Sequence, residues 1–256
     1  TQHLHGIARC LTKPDVIYLS HDCCQTWKSI DGGETWIKSP GKNMFVLAGQ
    51  SIEVDPINPD IVFVIVDNSY NYLVEDYEGL YRSTNGGKTW ELVLQTPPNY
   101  DTKKHRIYRH NIAYDITSVD SVSGKALRWY AAFPENGLYM SLDGGDTWSR
   151  MSSLTYHEIV YNIQTDPSDG KTIYLSSEDG LFVSHSRGIS LQPLGNLPEG
   201  AVSSVAINPK NPDMIYAVVK GNGLYRSLDR GNTFTLLKSF DAARVFINPG
   251  YPEIIY

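Results

Sequence analysis

The sequence predicts an all-β fold, a β-propeller of four-stranded antiparallel blades that are closed by Asp-containing turns. Three observations predict it: an eight-residue turn motif that recurs along the 256 residues, a strand pair that precedes the motif, and a Gly-Leu-aromatic strand that leads into it. Repeats of about 40–50 residues are typical of propeller blades. Five blades and part of another are visible. Because one propeller is one structural unit, residues 1–256 are predicted to form a single domain.

The turn motif has the form Ser-x-Asp-x-Gly-x-Thr-Trp and is called the Asp box below. Copies begin at Ser29, Ser83, Ser141, Ser184 (a decayed copy) and Ser227, at spacings of 54, 58, 43 and 43 residues. An Asp or Asn side chain accepts hydrogen bonds from its own turn, and Gly adopts positive φ without steric cost. The box residues are therefore predicted to be structural, since an active site is made once: Asp31, Asn85, Asp143 and Asp229.

A strand pair joined by a Pro-Asn turn precedes the box. Its regular copies are Ser51–Asp60 with residues 61–66 and Ser204–Asp213 with residues 214–219, and its weaker copies are Cys10–Leu19, Asn162–Leu175 and Val245–Tyr256. A third strand starts at Gly79, Gly137, Gly180 and Gly223, and a fourth follows the box. Each repeat thus contains strands A to D, with the Asp box between C and D. The box residues Trp36, Trp90 and Trp148 are predicted to be buried between blades.

Composition and charge exclude several classes of function. No apolar run reaches the ~18–20 residues that cross a bilayer, so no membrane segment is predicted. The net charge of −6 gives no basic field for phosphates, which argues against nucleic acid as a partner. No Gly-rich phosphate loop, nucleophile elbow or His-rich metal spacing occurs, and the sequence predicts neither a cofactor nor a metal.

The three cysteines lie close together near the start of the chain, at Cys10, Cys23 and Cys24. No CxxC pair suggests zinc. In an oxidising compartment Cys10 pairs with Cys23 or Cys24; otherwise these are buried thiols, and both alternatives stay open. The sequence starts at Thr1 without a charged-then-apolar leader, so a targeting peptide has been removed or was never there.

The two ends of each blade differ in the sequence. Successive antiparallel strands reverse, so A–B turns and Asp boxes share one end while B–C and D–A loops share the other, called the insertion face below. Box-side turns are predicted to be short, and both long insertions, Asp67–Glu78 and Gln95–His110, fall on the insertion face. Variable loops on a repeated scaffold concentrate function. Their predicted substrate-binding residues are Tyr70, Tyr72, Tyr77, Tyr100, His105, Arg106, Tyr108 and Arg109. Alternatively these loops are solvated or pack on a further blade.

Taken with its strand pair, the Asp box resembles the bacterial neuraminidase repeat proteins, which include sialidases, glycoside hydrolase family 74, sortilin-like receptors and photosystem assembly factors. The resemblance covers nearly the whole chain and is greatest to the N-terminal propeller of family 74. The first blade of that family has a Thr-Asp-x-Gly-Gly-x-Tyr/Trp-Arg stretch whose Asp is the catalytic base. Asp22 matches that Asp, although Cys23 and Cys24 replace the glycines. The resemblance therefore implies Asp22 as catalytic base.

Inverting hydrolysis needs a second carboxyl group ~6.5–9.5 Å from the base. In family 74 the second group comes from another propeller, which is not in this sequence. The Arg-Ile-Pro start motif of sialidases is absent, and sialidase activity is disfavoured. The chain is expected to be part of a propeller of six to eight blades, since closure hides edge strands, or of a protein with two propellers.

Two hypotheses of function remain. The first is a secreted glycoside hydrolase, extracellular or periplasmic, acting on a β-linked polysaccharide or oligosaccharide such as xyloglucan. The second is a non-catalytic binding or assembly-factor propeller that docks another propeller domain or protein. The identity of the glycan or partner, and the oligomeric state, are not specified by the sequence.

Overall fold

The structure is a computed structural model that describes residues 4–21, 25–44, 48–67, 78–95, 111–133, 137–151, 160–248 and 250–256. These ranges contain twenty-two strands and no helix. The predicted fold class is confirmed: the strands form five four-stranded antiparallel blades of the β-propeller class. The chain divides into two compact units, Thr1–Arg150 and Met151–Tyr256, which are described separately.

Three blades make up the first unit, and in each the strands pair in chain order. The first blade contains β1 (Leu4–Arg9), β2 (Ile17–His21), β3 (Gln25–Ser29) and β4 (Ile37–Lys38). The second contains β5 (Ala48–Val54), β6 (Val62–Asp67), β7 (Gly79–Ser83) and β8 (Glu91–Gln95). The third contains β9 (Asn111–Tyr114), the ribbon strands β10 (Val119–Asp120) and β11 (Lys125–Ala126), then β12 (Trp129–Phe133), β13 (Gly137–Ser141) and β14 (Ser149–Arg150).

Two blades and a hairpin make up the second unit. The fourth blade contains β15 (Val160–Thr165), β16 (Ile173–Ser177), β17 (Gly180–Ser184) and β18 (Gln192–Pro193). The fifth contains β19 (Val202–Ile207), β20 (Ile215–Val219), β21 (Gly223–Ser227) and β22 (Thr235–Lys238). The weak strand pair at Val245–Tyr256 is present as an extended hairpin, in which Phe246 and Tyr256 exchange two backbone hydrogen bonds of 3.0 and 2.9 Å.

Within each unit, the hydrophobic clusters lie between neighbouring blades. Every residue of β12, β16 and β20 is buried. Between the first two blades, Tyr18 packs in one cluster with Val54 and Trp90. Between the second and third, Phe63 packs with Trp129. Burying apolar area at ~25 cal/mol per Å² makes these seams the main source of stability.

The third blade departs from the expected short turns on the box side. Its A–B connection spans residues 115–128 and contains the ribbon β10–β11, so the prediction that all box-side turns are short is wrong here. An ion pair between Asp115 and Arg128 and a 2.7 Å bond from the Leu127 amide to the Ser118 carbonyl close the base of this connection. The insertion is therefore a self-contained hairpin that leaves the blade intact.

The tryptophans of the boxes are not all buried. Trp90 is 3% exposed, as predicted, but Trp36 and Trp148 are half-buried, so that prediction is wrong for two of the three. Trp36 Nε1 donates to the Gly33 carbonyl at 2.9 Å, and Trp148 Nε1 donates to the Gly145 carbonyl at 3.2 Å. These bonds hold each indole N–H against its own turn at the outer rim. The ring of Trp148 still packs at the seam, in a T-shaped contact with Phe63 whose ring centroids are 6.2 Å apart.

Candidate functional site

The Asp box is a closed network of hydrogen bonds. In the first blade, the Ser29 hydroxyl accepts from the Gly33 amide at 2.8 Å and donates to Asp31 at 2.7 Å. Asp31 accepts from the Thr35 amide at 2.9 Å and from the Thr35 hydroxyl at 2.5 Å. The boxes of Asp143 and Asp229 repeat this arrangement, whereas in the second blade Asn85 Nδ2 donates to the Thr89 hydroxyl at 2.7 Å; all three boxes keep the 2.9 Å bond from the Thr amide. The side chains are fully used within their own turns.

The decayed fourth box keeps this geometry without a carboxylate. Ser186 stands where the other boxes have Asp or Asn, and its hydroxyl accepts from the Ser190 amide at 3.1 Å. The Gly188 amide donates to Ser184 at 2.9 Å, as in the intact boxes. A hydroxyl is the smallest group that still accepts this bond, which explains why the turn survives in the sequence as Ser-x-Ser.

The carboxylates of the boxes are poor candidates for acid catalysis. The hydroxyl and amide of Thr35 lower the pKa of Asp31 to about 2. At Asp143, burial acts to raise the pKa, but hydrogen bonds from Thr147 and Ser141 outweigh it and the pKa is again about 2. A general acid must hold a proton near neutral pH, and these groups hold none.

Each Asp box is bonded to the A–B turn of its own blade. In all five blades the fourth residue of the box donates its amide to that turn at 2.8–3.0 Å: Gly32 to Asp15, Gly86 to Asp60, Gly144 to Leu127, Arg187 to Lys171 and Arg230 to Asp213. Boxes and A–B turns therefore share one end of each blade. The strand ends that flank the insertions lie at the other end: His21, Gln25, Asp67, Gly79, Gln95 and Asn111.

The predicted catalytic and substrate-binding residues lie outside the described residues. This holds for Asp22, Tyr70, Tyr72, Tyr77, Tyr100, His105, Arg106, Tyr108 and Arg109. Their assignment to the insertion face therefore stays a prediction. The last residue of the first insertion, Glu78, is described, and its side chain is 6% exposed.

A partly buried carboxyl group, Glu53 in β5, was not predicted from the sequence. Its side chain accepts the Val54 amide at 3.2 Å, and burial raises its pKa to about 8. Glu53 pairs across the strands with Phe63, at the seam between the second and third blades. The available signal in the sequence was a Glu placed between two apolar strand residues, Ile52 and Val54.

The carboxylates of the A–B turns connect neighbouring blades. Asp55 is fully buried and accepts the Ile57 and Asn58 amides at 2.9 Å, and its other oxygen accepts the Ala126 amide of the third blade at 2.7 Å. In the second unit, Asp166 accepts from Arg230 of the next blade at 2.6 Å. In the sequence, these two carboxylates belong to Asp-Pro dipeptides of the repeat. The dipeptides predict turns, but they do not predict contacts with the next blade.

Cys10 is a free, buried thiol, which agrees with the second of the two cysteine alternatives for that residue. Cys23 and Cys24 lie outside the described ranges. Among the residues that the structure describes, no group of three or more His, Cys, Asp or Glu side chains is arranged to hold a metal ion. No helix in the same part of the chain is long and apolar enough to cross a membrane.

Comparison with known proteins gives three kinds of similarity. Residues 81–92 match the BNR/Asp-box repeat family. The xyloglucanase Xgh74A of Acetivibrio thermocellus is 24% identical over 235 residues, covering 90% of this chain and 25% of that protein. A xyloglucanase of Hypocrea jecorina is 29% identical over 191 residues, covering 74% of this chain and 18% of that protein. The chain thus spans about a quarter or less of these relatives.

Solved structures share the fold. The GH74 enzyme of Niastella koreensis superposes with a TM-score of 0.74 and 19% identity, covering 97% of this chain and 43% of that one. YCF48 bound to D1 peptide superposes with a TM-score of 0.63 and 12% identity, covering 96% of this chain and 72% of that one. The chain is therefore an Asp-box repeat β-propeller. It is similar in sequence to xyloglucanases and in structure to enzymes of glycoside hydrolase family 74.

Proposed function

We propose that the intact protein binds an extended, neutral, β-linked glycan such as xyloglucan across the insertion face and hydrolyses it with inversion. The observation that carries the proposal is the sequence similarity to xyloglucanases, which extends over 90% of the chain. The blade topology supports it, because the strand ends that flank Asp22 and both insertions lie opposite the Asp boxes.

Asp22 is proposed as the general base. It would take a proton from a water molecule, whose oxygen then bonds to the anomeric carbon as the glycosidic bond breaks. A carboxylic acid on the other side would protonate the leaving oxygen. The pKa values of the box carboxylates exclude them from that role, and the resemblance to family 74 implies that the acid comes from another propeller. The tyrosines of the insertions would stack on sugar rings, and a polymeric substrate implies action outside the cytoplasm.

The test is release of reducing sugars by the full-length protein from xyloglucan and a panel of β-glucans. A general base contributes typically 10²–10⁴-fold, so Asp22→Asn is expected to lower the rate by that factor while glycan binding is kept. Asp143→Asn is the matched control, since Asn85 already fills the same place in the second blade. Full activity of Asp22→Asn would move the base to another residue.

The second candidate is a non-catalytic propeller that binds a protein segment. The specific observation in its favour is the similarity to YCF48, of which this chain covers 72%. If the full-length protein neither cleaves nor binds any glycan of the panel, this function replaces the first.

A further inference from the structure

The first blade contains a row of three small or polar residues that runs across its strands. Gly6 of β1 lies directly opposite Ser20 of β2, and Ser20 lies directly opposite Thr26 of β3. The row faces the second blade, because a Cβ atom on Gly6 would lie 3.0 Å from Ile52 Cγ2. These residues therefore belong to the seam between the first two blades.

Two hydroxyl groups in this row are buried without a hydrogen bond. Ser20 is 0% exposed and Thr26 is 2% exposed, and neither hydroxyl has a partner in the part of the chain that the structure describes. Buried polar groups in proteins are almost always satisfied by protein or by ordered water. Two unsatisfied hydroxyls side by side therefore indicate a ligand that bonds to both.

The other blades show that this polar row is particular to the first blade. In the place of Thr26 the second to fifth blades have Leu80, Leu138, Leu181 and Leu224, and in the place of Ser20 they have Ile65, Ala132, Ser176 and Val218. Apart from Ser176, apolar side chains fill these two places in the other four described blades, and none of those blades has hydroxyls at both. The blade that departs from the pattern is the blade that carries Asp22.

The place of Gly6 is also exceptional. In the second unit, Asn162 and Ser204 fill it. Asn162 accepts the amide of Val205 in the fifth blade, and Ser204 accepts the amide of Val245 in the hairpin that follows, each at 3.2 Å. In the first blade the corresponding amide belongs to Ile52, and a Cβ atom on Gly6 would lie 3.1 Å from it and 2.9 Å from Ser20 Oγ. Gly6 has no side chain that could accept this amide, and the Ser20 hydroxyl lies near the same place.

We infer that Ser20, Thr26 and the Ile52 amide bind one buried water molecule, and that this water positions the ends of β2 and β3, the two strands that flank Asp22 in the sequence. A buried water typically makes about three hydrogen bonds, and the site offers one amide donor and two hydroxyls. The positioning role rests on the proposed function; the water site does not. Ser20 precedes Asp22 by two residues and Thr26 follows it by four, so both of these strands would be joined by the water.

Thermal unfolding of the double variant Ser20→Ala with Thr26→Val, made in the full-length protein, tests the water site. The test is whether its unfolding midpoint falls or rises relative to wild type. If water is bound, the variant removes two of its partners and the unfolding midpoint falls by a few °C. If the hydroxyls are merely unsatisfied, their removal raises the midpoint. Ser176→Ala is the matched control, because Ser176 is also buried and unpartnered but faces Leu181, which offers a water molecule no second hydrogen bond; its midpoint is expected to stay or rise.

A crystal structure that resolves ordered water gives the direct test. Density at ~2.7–3.2 Å from Ser20 Oγ and Thr26 Oγ1 supports the site, and both hydroxyls donating to carbonyls with no such density overturns it. For the positioning role, the double variant is expected to lower kcat on xyloglucan with KM unchanged, and Thr26→Ser to restore it. A wild-type kcat in the double variant would overturn that role, whereas an inactive wild-type protein refutes the proposed function and leaves the water site to the other two measurements.

Discussion

Asp143 illustrates how a carboxylate in this protein is committed to its own turn. Asp143→Ala removes the bonds from Thr147 and Ser141 and is expected to cost about 1–2 kcal/mol of unfolding free energy, whereas Asp143→Asn keeps the pattern of the second box. Its folded pKa of about 2 is below the ordinary 3.8, so its contribution is present above pH 3.8 and is lost as pH falls through 2. Urea denaturation of both variants checks this, and equal losses would contradict it.

Glu53 has the opposite linkage. Burial raises its pKa from the ordinary 4.5 to about 8, so the fold favours the protonated form. The contribution of Glu53 to stability is therefore fully present below pH 4.5 and is lost as the pH rises towards 8. Glu53→Gln is expected to remove this loss and to be more stable than wild type at pH 8. Urea midpoints at pH 5 and 8 measure it, and identical pH dependence of the two proteins would contradict the assignment.

Two arginines occupy the left-handed region in the boxes of the second unit, Arg187 at φ 59° and Arg230 at φ 60°. Arg230 bonds to the fully buried Asp166 at 2.6 Å and to Asp213 at 2.8 Å. Arg187→Gly is expected to stabilise by about 1 kcal/mol through relief of strain. Arg230→Gly is expected to destabilise by about 1–3 kcal/mol, because Asp166 loses its charged partner. The same sign of change in both variants would show that strain alone decides.

At the scale of the element, the seam between two blades depends on how deeply the aromatic residue of the box is inserted. Trp90→Ala is expected to cost ~3–5 kcal/mol, since Trp90 is 3% exposed in the cluster of the first two blades. Trp36→Ala is the control and is expected to cost clearly less, because Trp36 is only half-buried. Calorimetric unfolding of both variants measures the two losses; equal losses would contradict the expectation that the depth of insertion into the seam sets the cost.

The repeats explain how much of the fold the sequence could predict. A box with Ser, Asp and Thr at fixed spacing specifies its own hydrogen bonds locally, so boxes and strands C and D were found in every blade. The A–B pair of the third blade was missed because residues 115–128 replace the Pro-Asn turn with a ribbon. The exposure of Trp36 could not be predicted from the sequence, nor could the lack of hydrogen-bond partners for the Ser20 and Thr26 hydroxyls. Both depend on packing between blades that are distant in sequence.

At the scale of the whole molecule, the same division recurs in each blade, which has a structural end and a variable end. The structural end is fixed by bonds from every box to its A–B turn. The strand ends at the other end lead into the insertions that the sequence assigns to glycan binding. The carboxylates of the boxes are occupied by hydrogen bonds within their own turns. Asp22 lies outside the boxes in the sequence, and this makes it a candidate base.

The most direct test of this account is the stereochemistry of cleavage by the full-length protein. Proton NMR during the first minutes of xyloglucan hydrolysis reports the anomer that is released before mutarotation. Attack of a base-activated water on a β-linked glycan predicts that the α-anomer appears first and that Asp22→Asn abolishes its appearance. Initial release of the β-anomer, or no product from the active-site-intact protein, would contradict the proposal that this propeller is part of an inverting glycoside hydrolase.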